Sequence, residues 1–131
     1  DNSRHLYAKL TEVAQKYDAA IIGGGDLNSP VESWALKYLL DNGLADAQRS
    51  ALISCRNCPT EHGDPVRDAN GVYVGTPGIR GINRANPKFH FLDHVFYDPK
   101  RIVTDRFDLD LSPEACSVSD HHPVCIDFRL K

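Results

Sequence analysis

Three short segments of the sequence put acidic or imidazole groups at the edge of an element instead of on a solvated face. They are Gly25-Asp26-Leu27-Asn28, Asp93 within Phe91-Leu92-Asp93-His94-Val95-Phe96, and Ser119-Asp120-His121-His122-Pro123. Asp93 is the most informative. A carboxylate among Phe, Leu and Val is costly to desolvate unless a partner or a metal compensates it. A histidine is a suitable partner, because the carboxylate fixes its tautomer and raises its basicity. Asp26 and Asp120 offer the oxygen ligands that hard divalent cations take, and Asn28 adds a neutral carbonyl or amide beside them. Asp120 next to His121 brings a carboxylate and an imidazole to one turn. If they converge, these groups make a site for Mg²⁺-assisted attack of water on a phosphoester. Singly, each has an ordinary reading: Asp26, Asn28 and Asp120 as turn or cap residues, His121 as a surface or core histidine, Asp93 as the partner of an arginine.

The elements that must hold these segments are partly legible. Leu6, Leu10, Val13, Ala14 and Tyr17 repeat at helical spacing, with Asn2 or Ser3 as N-cap. Ala19 to Ile22 reads as a short buried strand, broken by Gly23-Gly24-Gly25 just before Asp26. A second helix is predicted from Ser29 as N-cap, Pro30 at N1 and Glu32 at N3 of a capping box. Its apolar stripe is Val31, Trp34, Ala35, Tyr38 and Leu39, which places Trp34 and Tyr38 in the core, and Gly43 is its stop. Residues 54 to 88 read as a long loop region with short strands, one around Gly71 to Val74. Phe89 to Tyr97 is predicted as a strand stopped by Asp98-Pro99, and Arg101 to Thr104 as a short one. In the last segment Val124, Ile126, Phe128 and Leu130 alternate with Cys125, Asp127, Arg129 and Lys131, the pattern of a half-covered strand.

Composition narrows the class. A chain of 131 residues with 41% hydrophobic content and a net charge of −3 suits one folded domain with a real core, and excludes a disordered chain. No apolar run approaches the length of a membrane-spanning helix. With 15 Lys+Arg against 18 Asp+Glu, the protein is a poor candidate for gripping nucleic acid by bulk charge. That balance leaves room for an enzyme that handles phosphate through a metal. Of the cysteines, Cys55-Arg56-Asn57-Cys58 with His62 could suggest zinc, but Cys116 and Cys125 do not supply a second pair at that spacing. Disulfides or free thiols are the better expectation, and bridges would lean the compartment toward export. The sequence has no Met and starts at Asp1, so a processed, truncated or excised chain is expected.

Taken together and in this order, the three segments resemble the G-D-x-N, hydrophobic-D-x-hydrophobic and S-D-H-x-P signatures of the endonuclease/exonuclease/phosphatase superfamily. Its members include pancreatic-type deoxyribonuclease, abasic-site endonucleases, sphingomyelinases and inositol-polyphosphate phosphatases. Ser3-Arg4, ahead of a helix and a strand, is similar to the segment that precedes G-D-x-N, so the resemblance spans nearly the whole chain. It implies that Asp26 orients or deprotonates the attacking water or holds metal, and that Asn28 binds the scissile phosphate or metal. It further implies that Asp93 orients His121, that Asp120 helps bind metal, and that His121 acts as acid, base or charge stabiliser. The position after Asp93 is often aromatic in the family and is His94 here. Loops like the basic stretch between Arg67 and Lys88 contact substrate in this superfamily, which makes Arg80, Arg84 and Lys88 candidates against their reading as solvated charge.

The fold implied is the C-terminal half of a DNase I-like four-layer α/β sandwich, with a mixed, mainly antiparallel sheet and helices on its outer face. Residues 1–131 would then form one partial domain whose N-terminal half, with its early Asn and its metal-binding Glu, is absent. Glu12, Glu32, Glu61 and Glu114 stand in the wrong context to replace that Glu. A missing segment, a second chain or self-association is expected to cover the inner face and the free edge, and the chain alone is expected to be weak or inactive. The implied activity is Mg²⁺-dependent hydrolysis of a phosphodiester, nuclease-like, with Mn²⁺ or Ca²⁺ as other ions. The substrate would be a nucleic acid, a phospholipid head group or a soluble phosphate ester. A phospholipase C or sphingomyelinase-type enzyme or a phosphomonoesterase is the alternative within the superfamily. A catalytically incompetent interaction module is the alternative outside it, against which the intact acidic cluster argues.

Overall fold

The computed structural model describes residues 2–30, 32–54, 66–67, 69–70, 73–75, 91–116 and 118–131. Helix α1 (Asn2–Tyr17) leads into β1 (Ile22–Asp26), α2 (Trp34–Asp41), β2 (Ala45–Asp46), α3 (Ala47–Ser50) and β3 (Ile53–Ser54). Then come β4 (Val66–Arg67), β5 (Tyr73–Gly75), β6 (Asp93–Tyr97), β7 (Ile102–Leu109), α4 (Pro113–Cys116) and β8 (Val124–Leu130). Among the described residues no helix is long and apolar enough to cross a membrane.

The strands form two small three-stranded sheets and a two-stranded ribbon, where the sequence suggested one sheet. The first sheet has the order β1-β6-β2 and is antiparallel throughout. The second has the order β3-β7-β8, with β3 parallel and β8 antiparallel to β7; the ribbon joins β4 and β5. This is the mixed, mainly antiparallel α/β architecture of a DNase I-like fold.

Strand β6 organises both cores through its period of two. Val95 and Tyr97 face a core built with Ile102, Phe107 and Leu109 of β7, Val124 and Ile126 of β8, and Ala47 of α3. Phe96 faces the other way, into Leu36, Leu39 and Leu44, with Tyr7 and Leu10 of α1 packed alongside. The two sheets therefore meet across the first core, and helices α1 and α2 cover the outer face of the first sheet. Phe128 and Leu130, at the far end of β8, stand 48% and 70% exposed, so the alternation of that strand does not translate into burial there.

Several elements differ from the sequence reading for identifiable reasons. The glycines do not interrupt β1; they belong to it. A Cβ at Gly23 would lie 2.9 Å from Cε2 of Phe96, and one at Gly24 would lie 2.6 Å from the His94 carbonyl oxygen. Close approach of β6 is what demands glycine there. Helix α1 begins at Asn2, so both expected caps, Asn2 and Ser3, lie inside it, Ser3 buried. Helix α2 is capped by Ser33, whose Oγ accepts from Leu36 N–H at 3.4 Å, not by Ser29. The Ser33 N–H bonds the Pro30 carbonyl at 2.8 Å, closing a turn ahead of the helix, and Glu32 pairs with Arg49 at 3.3 Å instead of completing a capping box. The buried face is Leu36 and Leu39, and Trp34 stands 51% exposed and stacked on Tyr38, their centroids 5.4 Å apart, with Arg4 above both rings. Gly43, at φ +96° beyond the Asn42 cap, ends the helix as expected.

Strand β7 runs twice as far as the expected Arg101–Thr104 segment because a bulge between Thr104 and Arg106 resets its alternation. Ile102 and Thr104 are buried before the bulge, and Phe107 and Leu109 after it. In β6 the described strand starts at Asp93; Phe89 and His90 lie outside the described residues, as do Val31, Cys55, Cys58 and His62. Of the cysteines, Cys125 is a free, exposed thiol on the polar side of β8.

The glycine contacts set a stability prediction. Gly24→Ala forces a methyl into the β6 backbone and is expected to cost about 2 kcal/mol, the scale of overpacking without room to relax. Urea unfolding followed by circular dichroism measures it; an unchanged midpoint would show that β1 and β6 are not this close.

Candidate active site

The antiparallel register of β1 and β6 sets Asp26 directly opposite Asp93, at the end of both strands. The next pair, Leu27 and Leu92, is hydrogen-bonded through Leu27 N–H and the Leu92 carbonyl at 2.9 Å. That makes Asp26–Asp93 a non-hydrogen-bonded pair, the kind in which side chains on one face stand closest, with Cβ atoms about 4.5–5.5 Å apart. Two like charges so placed are unfavourable unless a positive charge offsets them.

The turn before β8 supplies that charge. His121 Nδ1 lies 2.6 Å from Asp93 Oδ2, and the two side chains are 23% and 16% exposed. A carboxylate only accepts, so Nδ1 carries the proton and Nε2 is left as the atom that can take up or release one. The turn is set by Ser119, whose Oγ accepts from His121 N–H at 3.0 Å. The bond ties the second sheet to the first, since Asp93 opens β6 and His121 leads into β8. Burial lowers the pKa of His121, but the hydrogen bond to Asp93 and the charges of Asp93, Asp120 and Asp26 outweigh it, and the net shift is upward from 6.5. All three sequence-selected aspartates thus act on this one ring.

Asn28 completes the cluster by folding back on Asp26. Its backbone N–H donates to Asp26 Oδ1 at 2.7 Å and its Nδ2 to Oδ2 at 3.0 Å, with Asn28 itself in the left-handed region at φ 47°. Asn is among the few side-chain-bearing residues that tolerate this conformation. Two clefts flank the cluster. One, of about 420 Å³, is lined by Gly24, Asp93, Ser119, His121 and Pro123; the other, of about 630 Å³, by Asp26, Leu27, Ser29 and Trp34.

Asp26, Asn28, Asp93, Asp120 and His121 are therefore brought to one end of the sheets. Asp26, Asn28 and Asp120 do not form a self-sufficient cation cage: among the described residues no group of three or more His, Cys, Asp or Glu is arranged to hold an ion. Their oxygens still fit a hard cation of the Mg²⁺ type, which commonly takes one or two carboxylates and completes its shell with water and phosphate. Arg80, Arg84 and Lys88 lie outside the described residues. The sequence reading gave His94 no role and took Ser29 only as a helix cap; their contact is described below. The available signal was an imidazole one residue from Asp93, which strand alternation sends to the opposite face.

The family model described as the Endonuclease/Exonuclease/phosphatase family matches residues 4–121, and the chain belongs to that family. Searches of curated proteins and of solved structures gave no match. The family is one of phosphoester hydrolases, and the matched region contains Asp26, Asn28, Asp93, Asp120 and His121, ending two residues before the third segment does.

The raised pKa of His121 has a direct consequence. The folded state holds this proton more tightly than the unfolded chain, so the contribution to stability is full below about pH 6.5 and is lost as pH rises through the folded value. NMR titration of the His121 ring should give a midpoint above 6.5, and Asp93→Asn should lower it. Equal midpoints in the two proteins would contradict the pairing.

Proposed function

We propose that this member of the endonuclease/exonuclease/phosphatase family is a metal-dependent phosphodiesterase of the nuclease type, with Asp26, Asn28, Asp93, Asp120 and His121 carrying its chemistry. The observation that carries the reading is the 2.6 Å Asp93–His121 hydrogen bond at a strand end where Asp26 stands opposite Asp93. A scaffold has no physical need to gather three carboxylates around one partly buried imidazole.

Asp26 and Asp120 would hold Mg²⁺ or Mn²⁺, with the Asn28 side-chain carbonyl available to the ion or to the scissile phosphate. Such an ion, when bound, polarises the phosphoryl oxygens and neutralises developing charge on the leaving oxygen. Asp26 orients a water molecule and accepts its proton as the water oxygen bonds to phosphorus in line with the leaving group. The bond from phosphorus to the leaving oxygen breaks, and His121 Nε2 donates its proton to that oxygen. Asp93 keeps the ring in the tautomer and orientation that this requires, and the upward pKa shift favours the acid form at neutral pH. Arg80, Arg84 and Lys88 would meet phosphates flanking the scissile bond. The remaining ligands of the ion would come from outside this cluster, so turnover by the chain itself is expected to be slow.

The test uses the chain with bis-(4-nitrophenyl) phosphate and Mg²⁺. Slow hydrolysis that stops with EDTA is expected, and His121→Ala should reduce it about a hundredfold or more, the usual scale for loss of a general acid. In parallel, calorimetric titration with Mn²⁺ should show binding weakened about tenfold in Asp26→Asn. Turnover indifferent to EDTA or to His121→Ala would contradict the reading, as would a chain that neither turns over nor binds Mn²⁺.

A further inference from the structure

One buried imidazole has no part in the steps above. His94 follows Asp93 in β6, so its ring points to the opposite, helix-covered face of the sheet, where it is 1% exposed. Its Nε2 lies 2.8 Å from the Ser29 carbonyl oxygen. A carbonyl can only accept, so Nε2 carries the proton of this bond. Among the described residues Nδ1 is buried without a hydrogen-bond partner. Leaving buried polar atoms unpaired costs stability that an apolar ring at this position would not. The hydrogen bond of the His94 ring therefore needs a reason.

The reason lies in what Ser29 follows. Asn28 holds a left-handed backbone, a conformation that Asn tolerates better than most residues but that still gains from contacts holding it in place. Strand β6 and the residue before it grip the chain on both sides: the Leu92 carbonyl takes Leu27 N–H at 2.9 Å, and the His94 ring takes the Ser29 carbonyl. Between these two anchors, both amide groups of Asn28 meet the Asp26 carboxylate. We infer that His94 is a positioning residue: its hydrogen bond to Ser29, made from the far face of the sheet, fixes Asn28 in the conformation that sets it on Asp26. The same bond diverts the Ser29 carbonyl from starting a helix, in keeping with a helix cap at Ser33. His94 thus acts through the loop and touches no reacting atom. The role rests on the reading that Asp26 and Asn28 belong to the active site, but the loop geometry it predicts is measurable without turnover.

Amide hydrogen exchange of the ¹⁵N-labelled chain tests it, comparing His94→Phe, which keeps a ring and loses the donor, with His94→Gln, which keeps a donor amide. In His94→Phe the Asn28 amide should exchange about tenfold faster, the scale of one lost hydrogen bond, while the β1–β6 ladder amides keep their protection. In His94→Gln the Asn28 amide should return to within about threefold of the parent. If His94→Phe does not fold, a folded His94→Gln that keeps Asn28 protected supports the inference. Unchanged Asn28 exchange in a folded His94→Phe overturns it. So does a folded His94→Gln that leaves Asn28 unprotected, or loss of the whole ladder in both variants, since the ring would then serve only the core. Absence of hydrolysis or of Mn²⁺ binding would count against the catalytic reading and leave this result standing.

Discussion

Two carboxylates face each other across the closest kind of strand pair, and that repulsion is what the rest of the site answers. Asp26 and Asp93 are locked in place by the register of β1 and β6, which the backbone cannot slip without turning β6 inside out. Asp93 is offset by the His121 ring, while Asp26 takes two hydrogen bonds from Asn28. Carboxylates that would otherwise destabilise a sheet end are thereby partnered and aimed at one place, which is what chemistry on a phosphoester needs.

The fold serves this arrangement through a single strand. Because consecutive residues of β6 point to opposite faces, Asp93 works on the side toward the second sheet while His94 works on the side toward the helices. Val95 and Tyr97 tie the strand to the core between the sheets, and Phe96 ties it to the core beneath α2. The Gly23 and Gly24 positions let β1 lie close enough for Asp26 to reach its partner. Packing, register and electrostatics thus meet in five residues, and a change in any of them propagates to the carboxylates.

Much of the site was legible because its groups sit at element ends, where a polar side chain among apolar neighbours stands out. Asp93 announced itself as a carboxylate in an aromatic strand, and its histidine partner proved to be His121. What was illegible depended on tertiary contacts. Ser29 has every local mark of a helix cap, yet the His94 ring takes its carbonyl and the cap falls to Ser33. The glycine run looks like a strand breaker until Phe96 and His94 are seen pressing on it. The second half of β7 was hidden because its bulge shifts the alternation by one residue, and Trp34 looked like core because its apolar stripe was taken for the buried face, which is set instead by Leu36 and Leu39. Division into two sheets depends on pairings distant in sequence, which no local pattern encodes.

The central claim is that Asp93 and His121 work as one unit on the reacting phosphoester. A double-mutant cycle on Mg²⁺-dependent phosphodiester hydrolysis, with Asp93→Asn, His121→Ala and the two combined, measures that coupling directly. Since Asp93 acts only by holding the ring, the combined variant should be no slower than His121→Ala alone. Losses that multiply, with the combined variant slower by the product of the two single effects, would show that the residues act independently and would contradict the account.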